Sequence, residues 1–167
     1  NSNYGISKGK AVNYSHRPQY QTKKEGAFAW NEAIHPEIDA STIFKHNEKE
    51  AEKYRNIGIG VVLSHKQDGI ARGSGLLTTL SDNTEHLTIL NLKASAHYSF
   101  LKGSSKQNYP SSLMGSIALL TQTYLDAEWY LQNTKKEKNL SLEAWNKLQD
   151  LPQFFKTTNK LNILRAW

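Results

Sequence analysis

The run Ile59-Gly60-Val61-Val62-Leu63 constrains the fold of this chain more than any other stretch. It is almost wholly apolar and rich in β-branched residues. A continuous run of that kind suits a strand buried on both faces, as in parallel α/β sheets, better than an alternating antiparallel strand. What precedes it is equally definite. Asn47-Glu48-Lys49-Glu50 is a capping-box arrangement, with Asn47 able to accept from free amides and Glu50 able to reach back. The spacing predicts a helix to about Ile57, and Gly58 stands where a left-handed residue ends a helix. Helix, glycine and buried strand together make one step of a parallel α/β fold.

Downstream, the polar, glycine-rich segment Ser64–Gly75 reads as a loop after that strand, and Leu76–Leu80 reads as the next strand. Ser81–Thr84 is a turn by composition. Leu87–Leu92 and Ala96–Phe100 both alternate like strands, and Lys102–Asn108 is a polar loop. A long helix opens at Pro110 or Ser111, with Leu113, Ile117, Leu120, Tyr124, Ala127 and Leu131 as its core-facing stripe, a face broadened by Met114, Leu119, Leu125 and Trp129. A second helix starts at Ser141, with Glu143 near its positive end, and carries Leu142, Trp145 and Leu148. Leu151–Phe155 reads as a strand, and Thr157-Thr158-Asn159 as the cap of a last helix over 160–167. Residues 1–46 are the least regular part, although 26–44 look like an ordered loop packed through its aromatics.

The chain has 167 residues, a length for one domain, and a mean hydropathy of −0.65 with 38% hydrophobic residues. No apolar run approaches the roughly 18 residues of a membrane span. The absence of cysteine removes disulfides, thiolate metal sites and a cysteine nucleophile. A net charge of +6 invites a nucleic-acid reading, but the lysines are scattered in pairs such as Lys8/Lys10, Lys23/Lys24 and Lys135/Lys136, with acids close by. Arginine, the residue favoured for base readout, is scarce. Solvated lysines are the expected reading, with no nucleic-acid or membrane partner. The chain opens on Asn1 without a Met or signal-like stretch and closes on Trp167 inside a helix-like pattern, so a piece of something larger is expected.

Few residues invite chemistry. His65, Asp68 and Arg72 lie in the segment after the buried strand, where parallel α/β folds bind ligands. The same side chains would also serve in a loop that satisfies its own backbone. His97 stands at a strand end, able to line a site or to sit hydrogen-bonded in the core. The histidines at 16, 35, 46, 65, 86 and 97 show no metal-ligand spacing, and there is neither a Walker loop nor a Gly-x-Ser-x-Gly elbow. Glu32 and Glu37, either side of His35, read as solvated or loop-tying. The residues alone assemble no complete active site.

Three stretches carry a family resemblance: Gly26–Ile34, Gly69–Gly75 and, most specifically, Tyr109–Leu119. Together they resemble the imidazolonepropionase-like branch of the amidohydrolase superfamily, and Leu161–Arg165 is similar to the helix start after a central barrel strand. The resemblance implies an α/β fold: a partial (β/α)8 TIM-like barrel of mostly parallel strands with helices outside. Residues 1–167 would form a single fragment, 47–167 supplying the βα units. It implies a metal-dependent hydrolase of non-peptide C–N bonds, with zinc or another divalent metal in the full-length family. The first barrel strand of the family ends in a His-x-His pair, where this chain has Ser2-Asn3-Tyr4-Gly5. A later strand ends in a metal-binding His, where Pro152-Gln153-Phe154-Phe155 is followed by Lys156, a side chain able to bridge metals only if carbamylated. No metal ligand is therefore assigned to this chain, and Lys156 joins His65, Asp68, Arg72 and His97 as a substrate-lining candidate. The alternative expectation is a degenerate, non-catalytic barrel acting in binding or structure, its partner being the remainder of its own barrel or a homologous subunit.

Overall fold

The computed structural model describes residues 2–9, 17–133 and 137–166. Lys10, His16, Lys135, Lys136 and Trp167, invoked above, lie outside the described residues. Among the described residues six helices and four strands follow in order: α1 Ala40–Ile43, α2 Glu48–Asn56, β1 Val61–His65, β2 Ala71–Thr79, α3 Glu85–Thr88, β3 Ile89–Ser99, α4 Leu113–Gln132, α5 Leu140–Leu148, β4 Gln153–Lys156 and α6 Lys160–Ala166. The helix expected at 47–57 is α2. Asn47 accepts from the Glu50 amide at 3.2 Å, and Gly58 has φ 86° just beyond its end.

The strands form one sheet in the order β1-β2-β3-β4. The expectation of a TIM-like barrel piece with mostly parallel strands is overturned. β1 pairs antiparallel with β2, β2 antiparallel with β3, and only β3 with β4 runs parallel. The reason is connection length. A parallel crossover needs roughly a dozen residues or more, and β1 reaches β2 through Lys66–Ile70 alone. Only the stretch from Phe100 to Pro152, carrying α4 and α5, is long enough to return a strand in the same sense. Lone parallel bridges join Ser2 to Ser64 and Ile34 to Ala71.

Two further readings change. Most of the supposed loop Ser64–Gly75 is strand, because β2 begins at Ala71 and is buried as far as Leu76. Its glycines admit close neighbours instead of making turns: Gly73, at φ 81°, lies against the Ile38 carbonyl, where a Cβ would collide. The two alternating runs at 87–92 and 96–100 merge into the single strand β3, preceded by the short α3.

Two apolar clusters hold the sheet. One joins Ala71, Ala96 and Tyr98 to Leu119 of α4 and Trp145 and Leu148 of α5. The other joins Val62, Leu76 and Leu80 to Tyr4, Ile6, Phe44 and Ala51. The inward face of α4 follows the expected one only in part, at Leu119 and Ala127. Ser116, Leu119, Thr123, Ala127 and Tyr130 are buried, whereas Tyr124 and Leu131 are exposed. Small hydroxyl residues can sit closest to the core because their hydroxyls are satisfied along the helix, Ser116 on Ser112 O at 3.2 Å and Thr123 on Leu119 O at 2.7 Å. At the β4 end of the sheet the packing thins: α6 buries none of its residues, and Phe154, Leu161, Ile163 and Leu164 are exposed.

Gly73 offers a direct check. Gly73→Ala should lose roughly 2–3 kcal/mol in urea unfolding, since both its positive φ and the Ile38 carbonyl oppose a side chain. Gly60→Ala, whose Cβ meets nothing within 4 Å, should change stability by less than about 1 kcal/mol.

Candidate functional site

Because β2 is antiparallel, its first residues lie beside the last residues of β1 and β3. His65 at the end of β1, Arg72 at the start of β2, His97 near the end of β3 and Lys156 at the end of β4 therefore gather at one end of the sheet. His65 and His97 lie face to face, ring centroids 3.8 Å apart and planes within 8°. Phe154 extends the stack, 5.5 Å from His97. Gly75, the register partner of His65, makes room for it: a Cβ there would collide with His97 Nε2 and come within 2.5 Å of Ser95 Oγ. Ser95 Oγ in turn contacts His97 Nε2 at 2.8 Å.

Both imidazoles are buried, 1% and 2% exposed. Burial pushes His65 down to about 3, helped by the neighbouring His97, Arg72 and Lys156. It pushes His97 down to about 4, with Arg72 acting in the same direction. At neutral pH the pair is uncharged. Arg72 is also buried, at 3% exposure; its Nε donates to Gly69 O at 2.9 Å, but its Nη1 has no hydrogen-bond partner. Burial lowers its pKa and Asp68 opposes that. His65 Nδ1 is likewise buried without a partner.

The remaining candidates divide. Lys156 is exposed and donates to Gln67 Oε1 at 2.9 Å, closing the rim beside His65. Asp68 faces away into a loop tie, accepting from the Ser104 amide at 2.6 Å and the Ser104 hydroxyl at 2.5 Å. Glu37 and Glu32 also tie loops. Glu37 pairs with Lys24 and accepts from Ser141 Oγ at 2.8 Å; although burial opposes it, contacts with His35, Lys24 and Ser141 hold its carboxyl down to about 2. Glu32 accepts from Gln19 Nε2 at 2.7 Å and the Lys23 amide at 2.8 Å. Ser95, Phe154 and Gln67 join the site without having been expected in it. The period of two that puts Ser95 and His97 on one strand face was the signal available for the first of them.

The residues do not fit a resident zinc. Stacked imidazoles direct their ring nitrogens along parallel planes instead of toward one point. At the place of the His-x-His pair, Tyr4 is fully buried, its hydroxyl 2.9 Å from His46 Nδ1, and Ser2 Oγ accepts from the Tyr4 amide at 3.0 Å. The Lys156 ammonium has no lone pair. Among the described residues no group of three or more His, Asp or Glu could hold a metal ion.

Burial of the two histidines sets a pH dependence. Their folded-state pKa values lie below the unfolded value near 6.5, so the unfolded chain binds more protons and acid favours unfolding. Stability should be full above about pH 6.5 and fall toward pH 4, each histidine adding up to about 1.4 kcal/mol per pH unit. Glu37 contributes only at lower pH, from 4.5 down to about 2. Urea midpoints between pH 7 and 5 should therefore drop for the wild type and drop less for His97→Gln.

No protein-family model matches the sequence, and no curated protein matches it. Among solved structures, the chain is similar to an amidohydrolase from Thermotoga maritima MSB8, with a TM-score of 0.63 and 18% identity. The match covers 81% of this chain and 41% of that one, so this chain spans about two fifths of its neighbour's length. Over most of its residues, the chain shares the fold of part of an amidohydrolase.

Proposed function

We propose that this chain is part of an amidohydrolase-type protein, of the imidazolonepropionase-like kind, that hydrolyses a C–N bond in a non-peptide substrate. The observation that carries this reading is the fold likeness across 81% of the chain. In this reading the described residues form a substrate-facing wall and hold no metal. His65 and His97, neutral at pH 7, offer hydrogen bonds instead of charge, and Arg72 and Lys156 supply positive potential at the same strand ends. The rest of the same protein or a homologous subunit packs against the β4 end. Support for that partner comes from the free edge of β4 and from α6, which buries none of its residues.

A second reading has its own observation. Tyr4 in the apolar core and the Lys156 ammonium stand where the resemblance expects imidazole ligands. They favour a non-catalytic homologue that binds or assembles. Elemental analysis and an amide-hydrolysis assay on the full-length protein separate the two. Stoichiometric zinc with turnover of a cyclic amide, both abolished by chelation, is expected for the hydrolase. A folded, metal-free protein with no turnover after zinc addition would leave the second reading standing.

A further inference from the structure

A surface helix buries one stripe and turns charged residues toward water. On its outer side α4 does not. Its buried stripe is Ser116, Leu119, Thr123, Ala127 and Tyr130. On the opposite side Met114, Ala118, Thr121, Leu125 and Trp129 follow at spacings of four, three, four and four. At about 100° per residue those spacings keep them in one line. All five are exposed, Met114 by 69%, Leu125 by 51% and Trp129 by 58%. Hydropathy would turn these three toward the core, and the structure turns them to solvent instead. The 20 residues of α4 include no Lys or Arg, and its acids are Asp126 and Glu128. An apolar line of this length on a helix surface marks a contact with another helix.

We propose that a second copy of this protein docks on the outer face of α4, with the two α4 helices antiparallel. The order of the side chains identifies the occupant. Met114, Ala118, Thr121 and Leu125 read large, small, small, large, so the line is the same from both ends, as an interface between identical surfaces requires. Their four-three-four spacing is that of a coiled-coil seam. In the antiparallel register Ala118 meets the copy's Thr121, where the small side chains let the helices cross closely. Met114 meets the copy's Leu125, where the larger ones fill the widening gap. The charges agree with this direction. Glu128 falls opposite the copy's Ser111, beside the Ser112 cap of α4, at the positive end of that helix. A parallel pairing would set Glu128 against Glu128 at two negative ends. The contact is one helix wide and about 30 Å long, so a dimer that dissociates near micromolar concentration is expected. This inference is independent of the hydrolase reading.

Sedimentation of the full-length protein from roughly 1 to 100 μM tests the interface. A monomer–dimer equilibrium should appear. Leu125→Glu should weaken it by roughly tenfold or more, with an unchanged circular dichroism spectrum because Leu125 is exposed. Glu128→Lys should weaken it several-fold by placing a cation at the copy's helix N-terminus. Cysteine pairing tests the register, and it carries the test if Leu125→Glu fails to fold. This chain has no cysteine of its own. An equimolar mixture of Met114→Cys and Leu125→Cys should cross-link on oxidation. Met114→Cys alone should not, since the two copies of that position lie about 16 Å apart in the antiparallel register, beyond the reach of a disulfide. A protein that stays monomeric throughout, a dimer that Leu125→Glu leaves intact, or cross-linking by Met114→Cys alone would each overturn the proposal. In the first case the outer face of α4 serves some other contact.

Discussion

The length of chain between two strands decides which way the second one can run, and in this protein that constraint also assembles the candidate site. The connection Lys66–Ile70 is too short for a crossover, so β2 must turn back along β1. Its first residues then lie beside the last residues of β1 and, through a second antiparallel pairing, beside the end of β3. The long return through α4 and α5 sets β4 parallel to β3, and Lys156 falls level with Ser99. Had β2 run parallel to β1, Arg72 would stand at the opposite end of the sheet from His65. The charge at the site is thus a consequence of topology.

Burial at that end is tolerable for some groups and costly for others. An imidazole can become neutral, and His65 and His97 do so, sharing a stack that removes both faces from water. The stack needs a gap on the intervening strand, and Gly75 supplies it. A guanidinium has no such escape. Arg72 donates from Nε to Gly69 O and feels the charge of Asp68. Its burial without a carboxylate at ion-pair distance among the described residues is therefore costly.

Much of this was legible in the sequence, and the failures have physical causes. Asn47 and Gly58 marked α2 because caps are local chemistry, decided by a few neighbouring atoms. His65, Arg72, His97 and Lys156 were each named as candidates, but their meeting depended on strand direction, which the apolar run at 59–63 does not encode. The glycine-rich segment Ser64–Gly75 reads as a loop, yet Gly73 and Gly75 stand inside a strand where Ile38, Ser95 and His97 approach too closely for a side chain. Such an approach is a tertiary fact. The inward face of α4 was legible in part: Leu119 and Ala127 are buried as expected, but hydropathy ranks Leu131 above Ser116, whereas Ser116 and Thr123 are the residues buried.

The likeness to an amidohydrolase and the lack of fitting metal donors are compatible, because a fold and the site built on it are separable. The strongest sign is Tyr4. Its ring is fully buried, tilted against Phe44 and edge-on to Tyr54, and its hydroxyl is bound to His46 and the Asn47 carbonyl. A smaller imidazole at this position would leave part of that core unfilled and release the hydrogen bond beside the α2 cap. The place where the resemblance expects a metal ligand is thus occupied by a residue on which α2 and the apolar cluster beneath it depend. At the other such place, Lys156 contributes charge of the wrong sign for a cation and the right sign for an anion. At neither position does this chain offer an imidazole, and at Lys156 it offers a positive charge instead.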